Sequence, residues 1–225
     1  MRKSNLVVFL AELGGTFGLI VAATGSIVYD SIMAGTFGIG FISAIHFIGL
    51  SAMIILFGRF SMAHFNPAVT IACFIAKLIS ARQILVYIVA QAIGAFLGSL
   101  FVKYIFGDFA NLGTNFPNYE YPVGFFFGIE VLVTVFLMGS ILVAINIKGL
   151  HPIFISAIIA GTVAMDVFFF GSVSGASMNP IRSLAPAIVS GMTGDLWLYL
   201  SAPFVGSFIV AFIYRKKFSK PKFSS

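Results

Sequence analysis

The feature that most constrains this chain is a pair of Asn-Pro dipeptides, each followed by a short apolar stretch. Asn66-Pro67 opens a stretch that ends at Lys77, and Asn179-Pro180 opens one that ends at Ser190. Asn suits the N-cap of a helix, and Pro is tolerated at the first helical position because an N–H there would have no intrahelical partner. Each stretch is therefore predicted to be a helix of about 16 Å, roughly half the thickness of a bilayer's hydrocarbon core.

Composition places the chain in a membrane. Of its 225 residues, 60% are hydrophobic and 9% are charged, whereas about 25% of the residues of a typical soluble domain are charged. Six apolar runs are each long enough to cross a bilayer. They cover approximately residues 6–29, 32–57, 84–106, 123–147, 152–170 and 196–214.

The order of these runs predicts an inverted repeat. One half-helix follows the second run and the other follows the fifth, so each half of the chain holds three spans and one half-helix. Because three is an odd number, the second half must be inverted relative to the first, about a pseudo-two-fold axis in the membrane plane. We expect a single channel domain over residues 1–225, with repeats at approximately 1–112 and 120–225.

This symmetry brings the two Asn-Pro ends together at mid-membrane from opposite faces. Backbone outside a helix is tolerated at that depth only where protein or a water-filled cavity covers it. The loops that lead into Asn66 and Asn179 are therefore predicted to line a pore, toward which each Asn turns an amide donor. The positive ends of both half-helix dipoles also meet there, and such an arrangement repels cations.

The distribution of charge indicates the orientation. An even number of spans puts both termini on one side of the membrane, and 11 of the 13 Lys and Arg residues share that side. An excess of positive charge marks the cytoplasmic side, so we expect a multi-pass protein of the cell membrane with cytoplasmic termini. The net charge of +6 follows from this topology, and nucleic-acid binding is not expected. The basic residues on that side are Arg2, Lys3, Arg59, Lys77, Arg82, Lys148, Arg215, Lys216, Lys217, Lys220 and Lys222.

The two dipeptides and their neighbours resemble the motifs of the aquaporin (major intrinsic protein) family. The first motif is intact and the second has Ile in place of Ala: Asn66, Pro67, Ala68, and Asn179, Pro180, Ile181, followed by Arg182. Residues 90–95 and 203–206 also resemble the family's third and sixth helices. The resemblance covers nearly the whole chain and implies an all-α membrane protein with six transmembrane helices and two re-entrant half-helices in an hourglass.

The same resemblance implies a function. Family members form tetramers with one pore per protomer and conduct water or small neutral solutes. We therefore expect a homotetramer in the lipid bilayer that passes water and small neutral solutes and excludes protons and ions. No enzymatic activity, cofactor or metal is expected.

The resemblance also assigns a selectivity filter. Its members are His46 on the second span, Val167 on the fifth, Ala176 in the second loop and Arg182 in the second half-helix. The string around His46 is similar to the second helix of plant tonoplast aquaporins. Water-selective animal members pair an aromatic residue with a histidine where this chain has His46 and Val167. We expect a wider, less uniformly polar constriction that passes ammonia in addition to water.

Four further polar residues lie at membrane depth. Glu12 and Glu130 occupy corresponding places on the first and fourth spans, where we expect them to accept hydrogen bonds from N–H groups that the loops leave unpaired. His64, two residues before Asn66, is expected to shape the cytoplasmic vestibule. For Asp166 we expect an interhelical hydrogen bond, with a role in the filter as the alternative.

Two alternative functions stay open. The glycerol-conducting branch, which would also suit urea, usually has Asp directly after the filter arginine, where this chain has Ser183. Ala187 and Tyr199 also resemble the water branch, but Leu200 replaces its usual Trp. A proton-coupled secondary transporter likewise uses inverted repeats and broken helices, and it would need a relay of buried acids.

Overall fold

The computed structural model describes residues 4–218 of the chain. All regular elements in this range are helical, which confirms the predicted all-α fold with six spans and two re-entrant half-helices. The orientation prediction also used Arg2, Lys3, Lys220 and Lys222, which lie outside the described residues.

The elements follow the predicted order. The half-helices are α3 (Pro67–Ile75) and α7 (Pro180–Ser190). A short turn, Phe109–Gly113, lies in the long connection between the fourth and fifth helices. The six helices long and apolar enough to cross a membrane are α1 (Asn5–Ile32), α2 (Gly38–Phe57), α4 (Ala81–Phe106), α5 (Val123–Asn146), α6 (Pro152–Ser174) and α8 (Leu196–Phe218).

The predicted start of the second span was wrong by six residues. It was placed at residue 32, but α2 begins at Gly38. Ala34 and Gly35 have φ angles of 54° and 74°, which a right-handed helix does not accommodate. The carboxylate of Asp30 then accepts hydrogen bonds of 2.9 Å from the N–H groups of Phe37 and Gly38, so the new helix begins at that point.

Other helix ends differ by a few residues from the apolar runs. The first half-helix ends at Ile75 and not at Lys77, because Lys77 has a φ angle of 62°. By contrast, α6 continues past residue 170 to Ser174, where Gly175 adopts the left-handed conformation that ends it. A run of apolar residues therefore located each helix but not its last turn.

The two halves of the bundle pack in the same way. A Cβ atom on Gly94 of α4 would lie 2.4 Å from the carbonyl oxygen of Leu13 in α1, and one on Gly206 of α8 would lie 2.4 Å from that of Val131 in α5. Glycine permits this close approach of helices in lipid. The half-helices also cross between the halves, since α3 packs against α8 and α7 against α4. The repeat limits of 1–112 and 120–225 stay a prediction.

Candidate functional site

Both motif asparagines cap their half-helices through the side-chain oxygen. The Oδ1 atom of Asn66 accepts hydrogen bonds from the N–H groups of Ala68 and Val69, at 2.9 and 3.4 Å. The Oδ1 atom of Asn179 accepts one from the N–H of Ile181 at 3.2 Å. A proline occupies the start of each helix, so the local sequence fixes where both half-helices begin.

The same two side chains join the half-helices to each other. The Nδ2 atom of Asn66 donates a hydrogen bond of 2.8 Å to the carbonyl oxygen of Met178, and that of Asn179 donates one of 2.9 Å to the carbonyl oxygen of Phe65. Each acceptor is the residue directly before the opposite asparagine. Since an amide nitrogen carries two hydrogens, each Asn keeps one donor for a molecule in the cavity that both border.

The loops before the two asparagines share an unusual backbone. Ala63 and Phe65 in the first loop, and Ala176 and Met178 in the second, have positive φ angles between 42° and 55°. These residues stand three and one positions before each Asn. The left-handed conformation costs a residue with a Cβ roughly 1–2 kcal/mol, so other contacts must stabilise both loops.

A buried carboxylate provides these contacts for the first loop. Glu12 accepts hydrogen bonds from the backbone N–H groups of His64 and Phe65, at 3.0 and 2.8 Å. It also accepts bonds from the side chains of Ser61 and Gln91, at 2.7 and 2.9 Å. All four contacts are donated to Glu12, so its oxygens hold the loop.

Glu130 has the corresponding role in the second half. It accepts hydrogen bonds from the N–H groups of Ser177 and Met178, at 2.9 and 3.1 Å, and from the hydroxyl of Ser174 at 2.8 Å. Neither Glu130 nor Glu12 is among the described residues that border the cavity. This geometry suits a structural role better than proton relay.

A cavity of about 500 Å³ lies along the half-helix junction. Of the residues assigned to the site from sequence, it is bordered by His46, His64, Asn66, Ala176, Asn179 and Arg182. The rest of its wall is mainly apolar and includes Leu19, Leu50, Val69, Leu137, Ile159 and Val163. The cavity is therefore amphipathic, with amide, imidazole and guanidinium groups placed against a hydrocarbon wall.

Several site residues lie outside this wall. Val167 is buried and does not border the cavity, whereas Val163, one turn earlier on α6, does. Ile181, the residue that departs from the family motif, packs with Ile20, Ala95 and Ala185. Its additional carbons are thus accommodated by packing behind the half-helix.

The remaining motif residues and Met62 of the first loop have separate places. Pro67, Ala68 and Pro180 are buried within the half-helix starts. Met62, four residues before Asn66, is 43% exposed and borders the cavity. Met62 therefore contributes an apolar side chain to the cavity wall.

The guanidinium of Arg182 is held by the long connection between α4 and α5. Its Nη1 donates a hydrogen bond of 2.9 Å to the carbonyl oxygen of Gly113 and another to Oδ1 of Asn115. Asn115 also accepts from the hydroxyl of Ser183 at 2.8 Å and donates to the carbonyl of Gly175 at 2.7 Å. Within residues 4–218 no carboxylate forms an ion pair with Arg182, so its charge faces the cavity uncompensated by a salt bridge.

Asn115 is the functional residue that sequence reasoning missed. It lies in a connection without periodicity, and it meets Arg182 only in the folded chain, 67 residues away. Its side chain is 5% exposed. No signal in the sequence singles out Asn115, because the same connection also contains Asn111 and Asn118 and burial is not visible in sequence.

The two cavity histidines carry their proton on the same ring atom, Nδ1. Nδ1 of His46 lies 2.8 Å from the carbonyl oxygen of Ile42, which can only accept, so Nδ1 carries the proton and Nε2 is an acceptor. Nδ1 of His64 lies 3.1 Å from Oγ1 of Thr70, whose own hydrogen is donated to the carbonyl of Asn66. His64 therefore also donates through Nδ1, and its buried Nε2 has no partner in the described chain.

Asp166 does not belong to the site. The expected interhelical hydrogen bond is wrong, because its buried Oδ2 has no hydrogen-bond partner among residues 4–218. The alternative role in the filter is also unsupported, since Asp166 borders a separate groove on the outer surface of α5 and α6. In the described residues no group of three or more His, Cys, Asp or Glu side chains is placed to hold a metal ion.

Comparisons with known proteins all point to the same family. The family model described as Major intrinsic protein matches residues 1–214. Aquaporin NIP1-2 of Oryza sativa subsp. japonica is 34% identical over 229 residues, which cover 95% of this chain and 72% of that protein. Glycerol uptake facilitator protein-like 6 of Lactiplantibacillus plantarum is 35% identical over 221 residues, with coverage of 96% and 97%.

Two further proteins agree with this result. Nodulin-26 of Glycine max is 35% identical over 207 residues, which cover 91% of this chain and 75% of that protein. The X-ray structure of the aquaglyceroporin from Plasmodium falciparum superposes with a TM-score of 0.86 over 95% of this chain and 97% of that one, at 24% identity, and supports the fold. The chain therefore belongs to the major intrinsic protein family and is a multi-pass membrane channel for water and small solutes, passive and not enzymatic.

Proposed function

We propose that the channel passes water and small neutral solutes such as ammonia and excludes protons and ions. The observation that carries this proposal is the reciprocal contact of Asn66 and Asn179, which leaves one N–H of each amide free at the cavity. A water molecule between two donors must use its lone pairs to accept from both. Its hydrogens then point away from the junction, and a continuous proton wire is interrupted.

The filter residues support exclusion of cations and entry of ammonia. Arg182 places a positive charge on the cavity wall, where it repels cations and donates to permeant oxygen atoms. His46 offers a lone pair at Nε2, which suits a molecule that donates hydrogen bonds, as ammonia and water do. We therefore assign the filter to His46, Ala176 and Arg182, which border the cavity, and its likeness to plant tonoplast aquaporins is part of this proposal. Val167, the predicted fourth member, lies outside the cavity wall, which Val163 borders instead.

Glycerol conduction is the second candidate, favoured by the apolar wall opposite the polar groups. A polyol can place its hydroxyls toward Asn179 and Arg182 and its carbons toward Leu137 and Val163, which border the same cavity. The relative from Lactiplantibacillus plantarum carries the name of a glycerol uptake facilitator protein. A proton-coupled transporter has less support, because Glu12 and Glu130 are occupied by the loops.

Flux measurements on proteoliposomes test these alternatives. Stopped-flow light scattering should show that reconstituted protein raises water permeability above that of empty vesicles, and that the flux is linear in the osmotic gradient. An internal pH dye should report ammonia entry without proton leak. A proton flux comparable to the water flux would overturn the proposal, and glycerol flux faster than ammonia flux would replace it with the second candidate.

We further propose a homotetramer in the cell membrane with both termini in the cytoplasm. The orientation is supported by the clustering of Arg59, Lys77, Arg82 and Lys148 with the C-terminal basic residues on one side of the predicted topology. The subunit number is proposed from membership of the family. Proteolysis of the C-terminal segment in sealed right-side-out and inverted vesicles tests the orientation. Native mass spectrometry from detergent tests the subunit number, for which a monomer would be the contrary result.

A further inference from the structure

The hydroxyl of Ser183 makes two buried contacts directly beside the filter arginine. Ser183 follows Arg182 on α7 and is 1% exposed. Its Oγ lies 2.8 Å from Oδ1 of Asn115 and 2.5 Å from Oγ of Ser177. Ser183 thus contacts both the connection that holds Arg182 and the loop that leads into the half-helix.

The directions of these hydrogen bonds follow from the chemistry of the partners. Oδ1 of Asn115 can only accept, so the single hydrogen of the Ser183 hydroxyl is donated to it. Ser183 then has no hydrogen left for Ser177, and the hydrogen in their contact comes from Ser177. The carbonyl of Asn179, at 3.0 Å, is the more distant acceptor for that hydrogen. The hydroxyl hydrogen bonds therefore run from Ser177 through Ser183 to Asn115.

The amide of Asn115 has one orientation that satisfies all its neighbours. Its Oδ1 accepts from Ser183 and from Nη1 of Arg182, and its Nδ2 donates to the carbonyl of Gly175 at 2.7 Å. If the amide turned over, Nδ2 would face two donors and Oδ1 would face a carbonyl oxygen. Ser183 and Gly175 therefore fix the oxygen atom that Arg182 binds.

This oxygen atom decides how the guanidinium of Arg182 stands at the cavity. Both hydrogens of Nη1 are used, one by Asn115 and one by the carbonyl of Gly113 at 2.9 Å. A guanidinium has five N–H donors, and the other three donate to no protein atom within residues 4–218. They are left for molecules in the cavity that Arg182 borders.

The first half of the chain has a contact at the corresponding position. Thr70 and Ser183 each stand four residues after a motif asparagine, and His64 and Ser177 each stand two residues before one. Nδ1 of His64 lies 3.1 Å from Oγ1 of Thr70, as Ser177 lies against Ser183. Thr70 gives its hydrogen to the carbonyl of Asn66 at the start of its own half-helix, whereas Ser183 gives its hydrogen to the connection between α4 and α5.

We propose that Ser183 is a positioning residue of the selectivity filter. It holds Oδ1 of Asn115 against α7, and Asn115 in turn holds the guanidinium of Arg182 at the cavity wall. Ser183 is not among the described residues that border the cavity, so it acts on permeating molecules through these two residues. The inference rests on the proposed function, because it concerns the repulsion of cations by Arg182.

Ser183→Ala tests the proposal on the full chain in proteoliposomes. Without the hydroxyl, Asn115 can move away from α7, and the guanidinium keeps the carbonyl of Gly113 as its one fixed acceptor. We expect the ratio of sodium leak to water permeability to rise roughly two- to tenfold, the factor that one hydrogen bond contributes to an equilibrium. A smaller folded fraction would lower the flux through the channel without raising this ratio.

Nitrogen NMR of arginine-labelled protein reports the position of the guanidinium without reference to flux. The signals of Arg182 are assigned by their loss in Arg182→Lys. Nη1 and Nη2 should give different shifts in the unaltered protein, since Nη1 donates both its hydrogens to protein oxygens and Nη2 donates none. In Ser183→Ala the two shifts should move toward each other.

Three further variants separate this role from a general effect on the fold. Ser183→Thr keeps a hydroxyl, as Thr70 does at the corresponding position, and should restore the leak ratio. Ser190→Ala also removes a contact between α7 and the connection, because its Oγ lies 3.2 Å from Oγ1 of Thr114, and it should leave the ratio and the Arg182 signals unchanged. In an Asn115→Ala background, Ser183→Ala should raise the ratio no further.

Several results would overturn the inference. An unchanged leak ratio or unchanged Arg182 signals in Ser183→Ala would show that Ser183 does not position the guanidinium. An equal effect of Ser190→Ala would assign the change to attachment of the connection in general, and a further rise in the Asn115→Ala background would show that Ser183 does not act through Asn115. Sodium leak through the unaltered protein would instead contradict the proposed function, while the Arg182 signals would still test the role of Ser183.

Discussion

The side-chain amide of Asn66 donates a hydrogen bond of 2.8 Å to the backbone carbonyl of Met178, 112 residues further along the chain. The acceptor belongs to the loop of the opposite half, and the symmetric contact runs from Asn179 back to the first loop. One side chain thus caps a helix with its oxygen and joins the two halves with its nitrogen. Replacing the nitrogen alone separates these two roles.

Asn66→Asp makes this separation. The carboxylate keeps the capping oxygen but turns an acceptor toward the carbonyl of Met178, so we expect a loss of roughly 1–3 kcal/mol in stability from the unpaired buried group. The interruption of the proton wire should also be lost, because a donor at position 66 becomes an acceptor. Proton flux, measured with an internal pH dye, should rise relative to water flux. Asn146→Asp on an exposed helix end is the control, and equal proton flux in both variants would contradict the prediction.

Glu12→Gln tests the support of the first loop. Four donors converge on the Glu12 carboxylate, and the amide of Gln would direct its own hydrogens against some of them. We expect a loss of at least about 3 kcal/mol from unmade bonds to a formerly charged group, seen as a lower midpoint in thermal unfolding in detergent. Glu120→Gln on the exposed connection is the control. Similar midpoints for the two variants would show that Glu12 does not hold the loop.

The features predictable from sequence were those encoded by neighbouring residues. The two half-helices follow from Asn66-Pro67 and Asn179-Pro180, because capping depends on three or four consecutive residues. The six spans follow from length and hydropathy. By contrast, α2 begins at Gly38 because of a turn held by Asp30. Nothing in an apolar run indicates that a carboxylate seven or eight residues earlier accepts hydrogen bonds from the start of the next helix.

Contacts between distant residues were not predictable in the same way. Asn115 holds Arg182 from a connection with no periodicity, so no pattern pairs the two residues before folding. Asp166 stands next to Val167, yet successive residues of a helix point about 100° apart. Its side chain therefore reaches the outer groove, and only the packing of α5 against α6 shows that it meets no donor there.

Asn115→Asp tests whether the connection sets the charge at the filter. A carboxylate in contact with the guanidinium of Arg182 would form an ion pair and cancel most of its field at the cavity. We expect the channel to admit small cations that the unaltered protein excludes, measured as sodium leak with a fluorescent indicator in proteoliposomes. Asn118→Asp adds the same charge to the same connection without contact with Arg182. A leak of the same size in both variants would assign the effect to surface charge.

Two glycine substitutions test the packing of the halves, and we expect them to change stability in opposite directions. A Cβ on Gly94 would lie 2.4 Å from the carbonyl oxygen of Leu13, whereas one on Gly128 would meet nothing within 4 Å. Gly94→Ala should therefore lower the thermal midpoint by displacing α4 from α1. Gly128→Ala should raise stability by roughly 0.5–1 kcal/mol, because Ala restricts the unfolded backbone more than Gly does. A thermal midpoint of Gly94→Ala equal to or above that of the unaltered protein would show that the close approach is not required.

His46→Leu tests the acceptor at the filter. Leu has a similar volume but no lone pair, so a permeating ammonia molecule loses one hydrogen bond worth about 0.5–1.5 kcal/mol. This corresponds to a fall of roughly two- to tenfold in the ammonia flux per channel. His46→Gln keeps an acceptor at this position and should restore part of that flux. Nitrogen NMR of labelled histidine in the unaltered protein should find the proton of His46 on Nδ1, since its contact with Ile42 requires a donor there. A proton on Nε2, or an unchanged ammonia flux in His46→Leu, would remove His46 as an acceptor for ammonia.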